Sequence, residues 1–573
     1  MIRRNYSSPL GPERSDLTTR IRIVCALFAL LFSTSVLSGC SGKGDTSMES
    51  NQQMVPIVPR PASMAVTEGS YTLTAQSAFH VVNEEFEAVA QLFSEMWTTP
   101  MGNALRVESS SGDIQLVLDD SLDDEAYGLT VDDDGVTIRA GDASGAFYAL
   151  TTLQQMLPAD ISGNGPAPDT AWILPHVSID DAPRFGYRGL HLDVGRHFFD
   201  VAFVKHYIDV IARYKLNVFH WHLTEDQGWR VEIDAFPRLT EVGAWRSETV
   251  VEKNLDPYIG DGIPHGGFYT KEEIRDVVAY AAARNVTVIP EIDIPGHTGA
   301  VLAAYPELGC HEGPYKVKTT WGIQEDILCP SEATFDFLYT VLDEVAELFP
   351  GPYIHIGADE VPKIQWEESP VAQEVMRREG LADEEALQSW FVRRIEAHLN
   401  SLDKQLIGWD EILEGGLAPN ATVMSWRGTI GGIQAAQMGH DVIMTPTDYL
   451  YFDFYQGDPE TEPLAMNWAN RTIPLDTVYA FDPIPDELSS EEAVHVLGAQ
   501  GNVWTEYIST PEYVEYMAFP RAIALSEVVW TPAALRDLDD FYDRLALNLR
   551  HLERLGVNYR IPDRIDGIDQ EGY

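Results

Sequence analysis

The chain reads as a (β/α)8 barrel preceded by a small α+β unit, and three observations predict this. From Pro183 onward, eight short apolar runs suited to strands recur: Arg188–Val194, Asn217–Thr224, Val286–Ile294, Tyr353–Gly357, Gln405–Trp409, Thr422–Trp426, Asp441–Thr445 and Val496–Trp504. Longer helical stretches lie between them, including Val201–Tyr214, Lys271–Arg284, Thr334–Leu348, Glu384–Leu399 and Ile430–Met438. Such alternation implies a parallel sheet, and eight repeats point to closure into a barrel. An open doubly wound sheet is the competing arrangement. No Gly-x-Gly-x-x-Gly follows any strand, so its nucleotide-binding form has no support.

The elements before the barrel follow in order. Arg3, Arg4, Arg14, Arg20 and Arg22 flank an apolar run from Ile21 to Leu37 that closes on Leu37-Ser38-Gly39-Cys40. A positive flank, an apolar centre and small terminal residues describe a secretory signal over residues 1–39. Leu-Ser-Gly-Cys resembles the bacterial lipoprotein signal. That resemblance implies an exported protein, lipidated at Cys40 and anchored to the bacterial cell envelope. Residues 40–54 are rich in Gly, Ser, Asp and Gln and read as a linker. Residues 55–182 form the α+β unit, with strands at Ile114–Leu118 and Val136–Arg139, a hairpin turn at Asp132–Gly135 and a helix over Gly145–Leu157. The barrel occupies 183–562.

Composition narrows the function. In 573 residues, 89 acidic side chains face 39 basic ones, a formal charge of −50. A field of that sign repels a phosphate backbone, so a nucleic-acid partner is excluded. Hydrophobic residues at 45% suffice for a large core. Of four cysteines, Cys25 leaves with the signal and Cys40 is the anchor. Cys310 and Cys329 remain, and an oxidising export compartment favours a disulfide closing a surface loop, worth about 3 kcal/mol by loop entropy. Two free buried thiols are the alternative.

Functional groups of such barrels lie past the C-terminal ends of the strands. Those positions read Asp193-Val-Gly-Arg196-His197, Thr224-Glu225-Asp226-Gln227-Gly-Trp229, Glu291-Ile-Asp293-Ile-Pro-Gly-His297 and His355-Ile-Gly-Ala-Asp359-Glu360. Later ones are Trp409-Asp410-Glu411, Ser425-Trp426-Arg427, Tyr451-Phe-Asp453 and Trp504-Thr-Glu506. Charge at a buried mouth is costly unless it is used. Indoles cover the apolar face of a pyranose while carboxylates grip its hydroxyls, so the pattern suits a sugar. His220-x-His222 imitates a metal pair, but Ile407-Gly-Trp409 supplies no further His on the fifth strand, so that pair reads as structural. Trp366 and Trp530 lack strand-end positions and read as core.

The constellation resembles glycoside hydrolase family 20, the β-N-acetylhexosaminidases, from Val55 to about Pro562. His355-Ile-Gly-Ala-Asp359-Glu360 matches the family's His-x-Gly-x-Asp-Glu, supported by Arg188-Gly-Leu-His-Leu-Asp193-Val-Gly-Arg196-His197 and by His220-Trp-His-Leu-Thr-Glu-Asp-Gln-Gly-Trp229. The resemblance implies exo-hydrolysis of terminal β-linked N-acetylglucosamine or N-acetylgalactosamine from oligosaccharides or glycoconjugates. Retention would arise because the substrate's acetamido oxygen attacks the anomeric carbon to give an oxazolinium ion, an exception to the two-carboxylate scheme. It implies Glu360 as acid and then base, Asp359 as the anion beside the acetamido group, and Tyr451 as the holder of its oxygen. His297 would connect the acid to a second carboxylate, Glu225 or Asp226. Arg196 would grip the 3- and 4-hydroxyls, Asp453 and Glu506 the 4- and 6-hydroxyls, and Trp409, Trp426 and Trp504 would wall the pocket. No metal or organic cofactor is implied. Adjacent residues of a strand point to opposite faces, so the backbone is expected to leave strand geometry near Ala358. Two other readings compete: a sugar-capturing lipoprotein without catalysis, and a conventional two-carboxylate glycosidase.

Overall fold

Parallel pairing closes eight strands on themselves, so no edge remains to be protected. In the computed structural model, which describes residues 54–565, the barrel strands are Tyr187–Asp193, Val218–His222, Thr287–Glu291, Tyr353–His355, Gln405–Trp409, Thr422–Ser425, Val442–Met444 and Val496–Gly501. The expected signal segment, Cys40 and the linker up to residue 53 lie outside the described residues. All eight expected strands are present. The fourth is shorter than expected because Gly357 and Ala358 turn to φ of 64° and 69° and leave the β region. Among the described residues, no helix is long and apolar enough to cross a membrane.

Local sequence explains the crossovers. Asp200 caps the helix Val201–Arg213 by accepting from the Phe203 N–H, and Thr270 with Glu273 forms a capping box on Lys271–Ala282. Helices Glu332–Leu348 and Glu384–Ser401 follow the third and fourth strands. The fifth and sixth strands are joined by only a 3-10 turn, Asp410–Leu413. The seventh strand leads into a long excursion that carries Tyr451 and Asp453 before Val496. Trp366 and Trp530 are fully buried, as their positions predicted.

Seven strands make the N-terminal sheet: β1 Ser63–Leu73, β2 Ala78–Val81, β3 Arg106–Glu108, β4 Ile114–Leu118, β5 Tyr127–Asp132, β6 Gly135–Ala140 and β7 Trp172–Asp181. Their order is β1-β7-β5-β6-β4-β2-β3. The acidic turn is a hairpin, with Asp132 opposite Gly135 in the β5–β6 register. Helix Ala143–Met156 packs on this sheet.

The sheet unit docks through buried ion pairs. Arg188 Nη2 lies 2.8 Å from Glu125 Oε1, and Lys215 Nζ lies 2.9 Å from Asp181 Oδ2. Arg188 stands at the start of the first barrel strand, and Lys215 just precedes the second. The docking therefore uses the N-terminal ends of the strands and leaves the C-terminal mouth to chemistry.

Candidate active site

The Asp359–Glu360 pair depends on backbone strain. After His355 the chain passes through left-handed conformations at Gly357, Ala358 and Glu360, the last with φ 48°. Each non-glycine residue there costs on the order of 1–2 kcal/mol. The turn is held by hydrogen bonds: Ala358 N donates to Asp293 Oδ1 at 3.3 Å, Gln388 Nε2 to Ala358 O at 2.8 Å, and Trp409 N to Gly357 O at 2.9 Å. Both carboxylates consequently reach one imidazole. His297 Nε2 lies 3.8 Å from Asp359 Oδ2 and 3.6 Å from Glu360 Oε2. The backbone departs from strand geometry at Ala358, as two neighbouring side chains with a common target require.

Behind His297 stand two more acids. Its Nδ1 is 3.3 Å from both Glu225 Oε2 and Asp226 Oδ2. Glu225 is shared, since its Oε1 lies 2.6 Å from Arg196 Nη2. Burial pushes the Glu225 carboxyl up, but Arg196 and His297 outweigh it and hold the group well below the usual range. Burial raises Asp226 with less relief. Burial disfavours the His297 cation, yet Glu225, Asp226 and Glu360 carry its pKa well above that of a free imidazole.

Arg196 organises the opposite wall. Nη1 donates to Asp193 Oδ2 at 3.2 Å, Nε lies 3.7 Å from Glu506 Oε1, and the guanidinium sits over the Trp504 ring at 5.0 Å. Several buried polar atoms of this region have no hydrogen-bond partner among the described residues: Arg196 Nε, Asp359 Oδ1, Asp453 Oδ1, Trp504 Nε1 and Glu506 Oε2. A protein rarely leaves so many orphans together, because each costs about 1–3 kcal/mol. The set mixes donors with acceptors, which is what a ring of hydroxyls satisfies.

Aromatic rings line the same space. Centroids are 5.7 Å apart for Trp409 and Trp504, 6.3 Å for Trp504 and Tyr451, and 6.1 Å for Tyr451 and Trp426, the last pair stacked. The indole N–H groups of two are fixed by acids: Trp409 to Glu291 Oε1 and Trp426 to Glu411 Oε2, each at 2.9 Å. Carboxylates crowd the pocket and repel one another. Burial, aided by neighbouring acids, pushes Asp359 to about 7 and Glu411 to about 8. It raises Asp293 and Asp453 well above the usual carboxylate range.

The structure thus brings together every residue singled out for the sugar site: Glu360, Asp359, His297, Glu225, Arg196, Tyr451, Asp453, Glu506 and the three tryptophans. Cys310 and Cys329 are joined in a disulfide, with Cα atoms 4.7 Å apart. Sequence reasoning gave no role to Glu291, Asp293 and Glu411 and read His222 as structural. Glu291 is fully buried under the pocket, hydrogen-bonded to His222 Nδ1 at 2.6 Å, with His220 Nε2 and His355 Nδ1 each 3.0 Å away. These groups could ligate a metal by atom type. In this arrangement Glu291 is engaged by all three imidazoles and His220 Nδ1 accepts from Gln500 Nε2 at 2.9 Å, while the Nε2 atoms of His222 and His355 have no hydrogen-bond partner among the described residues. The available signal was position, since Glu291 ends the third strand and Asp293 follows it.

A barrel whose strand ends converge on a strained carboxylate pair, an arginine and an aromatic wall defines a glycoside-cleaving hydrolase. The chain belongs to glycosyl hydrolase family 20: residues 185–533 match its catalytic domain and residues 54–182 its domain 2. A β-hexosaminidase of Porphyromonas gingivalis is 44% identical over 550 residues, spanning 94% of this chain and 68% of its own. One from Vibrio furnissii is 38% identical, spanning 82% and 76%. Among solved structures, the exo-β-N-acetylglucosaminidase of Vibrio harveyi in complex with N-acetylglucosamine superposes with a TM-score of 0.81 at 36% identity, covering 89% of this chain and 79% of that one. A Streptomyces plicatus N-acetyl-β-hexosaminidase gives 0.78 at 32% identity, covering 89% and 97%.

Proposed function

We propose that the protein is an exo-acting β-N-acetylhexosaminidase that releases terminal β-linked N-acetylglucosamine or N-acetylgalactosamine with retention. The observation that carries this reading is the convergence of unpartnered buried donors and acceptors beside the Asp359–Glu360 pair. The sugar's acetamido oxygen attacks the anomeric carbon, and the leaving oxygen takes the Glu360 proton. Asp359 faces the acetamido nitrogen and stabilises the positive charge that spreads over the oxazolinium ring. Water, deprotonated by Glu360, then opens that ring at the anomeric carbon. Tyr451 holds the acetamido oxygen. Arg196, Asp453 and Glu506 take the ring hydroxyls, and Trp409, Trp426 and Trp504 enclose the sugar.

The test is a chromogenic N-acetylglucosaminide beside its 2-hydroxy counterpart. Release from the first and not the second supports an attacking amide. Equal turnover of both, or a glycosyl ester trapped on the protein, defeats it. Bound sugar with no released aglycone would favour mere capture.

The protein is further proposed to be exported and tethered to the cell envelope through lipid on Cys40. The Leu-Ser-Gly-Cys sequence supports this. Cys40→Ala should move the enzyme from the membrane to the soluble fraction, and unchanged fractionation would refute the anchor.

A further inference from the structure

Glu411 and Trp426 meet across neighbouring strand ends. In the barrel Trp409 pairs with Met424, and Glu411 and Trp426 each stand two residues further on. Glu411 lies on the 3-10 turn Asp410–Leu413, is 7% exposed, and its Oε2 accepts from the Trp426 indole N–H at 2.9 Å. Its Oε1 is 3.7 Å from Arg427 Nε. The backbone at Trp426 is anchored separately. Asp410 Oδ2 accepts from the Trp426 and Arg427 backbone N–H groups, each at 3.2 Å, and the Trp426 carbonyl accepts from Thr447 N at 2.9 Å. Asp410 therefore fixes where the side chain starts, and Glu411 fixes where its ring points.

That ring bounds one end of the sugar pocket. It stacks on Tyr451 at 6.1 Å with 23° between the planes. With Tyr451 holding the acetamido oxygen, the acyl methyl ends against Trp426. Packing alone does not lock the indole, because Trp426 is half-buried whereas Trp409 is 1% exposed. Its side-chain torsions have several staggered choices, and the bond to Glu411 selects among them. Burial, then Asp359 and Asp410, push the Glu411 carboxyl up to about 8. Keeping a carboxyl in that field is costly, and orienting the indole is a use that offsets the cost.

We propose that Glu411 is a positioning residue that sets acyl specificity: by holding the Trp426 indole against Tyr451 it fixes the depth of the acyl pocket and restricts cleavage to N-acetyl sugars over those with longer N-acyl chains. This rests on the reading of the protein as a β-N-acetylhexosaminidase. Against a fixed hydrophobic wall one extra methylene is discriminated roughly 10- to 200-fold. A wall free to turn loses that discrimination. The attacking oxygen belongs to the same acyl group, so a loose wall also places it less well for attack.

The experiment is steady-state kinetics of the full chain on chromogenic glucosaminides carrying N-acetyl, N-propanoyl or N-butanoyl groups. Wild type should prefer acetyl to butanoyl by about 100-fold in kcat/KM. Glu411→Leu should shrink that preference about tenfold, through a lower kcat on acetyl and a lower KM on butanoyl. Glu411→Gln keeps an acceptor for the indole N–H and removes the charge beside Asp359. It should retain the wild-type acyl preference, because the lost charge alters kcat on all three substrates alike. An acyl preference equal in wild type and Glu411→Leu, or one lost equally in Glu411→Gln, overturns the inference and leaves the activity itself standing. No release by wild type from any of the three overturns both. Should Glu411→Leu fail to fold, Trp426 is replaced by its benzothiophene isostere, which keeps the shape and lacks the N–H. A narrowed preference then supports the inference, and an unchanged one refutes it.

Discussion

The indole of Trp409 donates to Glu291 Oε1 at 2.9 Å, which ties a wall of the sugar pocket to a carboxylate buried in the barrel centre. The same acid receives His222 Nδ1, and His222 Nε2 lies 3.7 Å from Glu225. The pocket wall and the network behind His297 therefore share one charged support. Glu291→Gln should lower stability by about 3 kcal/mol, because it strands a buried imidazolium. With Trp409 freed to turn, KM should rise more than kcat falls. Urea unfolding and steady-state kinetics measure the two effects.

Asp359 should show opposed effects on activity and stability. Asp359→Asn removes the anion that faces the developing positive charge, so kcat should fall about 100- to 1000-fold with little change in KM. Burial raises the folded pKa of this carboxyl to about 7. Its contribution to stability is complete below the unfolded pKa, near that of a free Asp, and is lost as pH rises through about 7. The Asn variant should therefore gain Tm relative to wild type above pH 7 and not at pH 4. A constant difference across that range would contradict the assignment.

His297 offers a leaving-group test. Its imidazole touches Glu360 on one side and two acids on the other. His297→Asn should slow alkyl glycosides by roughly 100-fold, since these leaving groups need a proton. Aryl glycosides with acidic phenols should lose far less. A uniform loss across leaving groups would assign His297 a purely architectural part.

The Cys310–Cys329 bridge closes a loop with a sequence separation of 19. Replacing both by Ser should cost about 3 kcal/mol on the loop-entropy scale. Lys318 of this loop donates its N–H to Asp226 O at 3.0 Å, so the loop also touches the network behind His297. Reductant should reproduce the loss in wild type and leave the double Ser variant unchanged.

Much of this molecule was legible in one dimension. Barrel strands buried on all sides are near-continuous apolar runs, so their number and order could be counted. The strand-end carboxylates stood out because charge is expensive where those runs place it. The N-terminal sheet was less legible. Strand β1 is largely exposed over Ser63–Leu73 and carries no strong alternation, so only pairing with β7 defines it.

Linear order therefore supplied the residue types, their spacing and the need for a break at Ala358, since period-two geometry forbids neighbouring side chains a common target. Packing settled the partners. That His297 meets Glu225 and Asp226 at the same 3.3 Å, that Glu225 also serves Arg196, and that Glu291 braces Trp409 are facts of distances across strands far apart in the chain. A pattern along the chain carries no such distances. They arise when closure of the barrel drives these charges out of water and obliges each to find a counterpart.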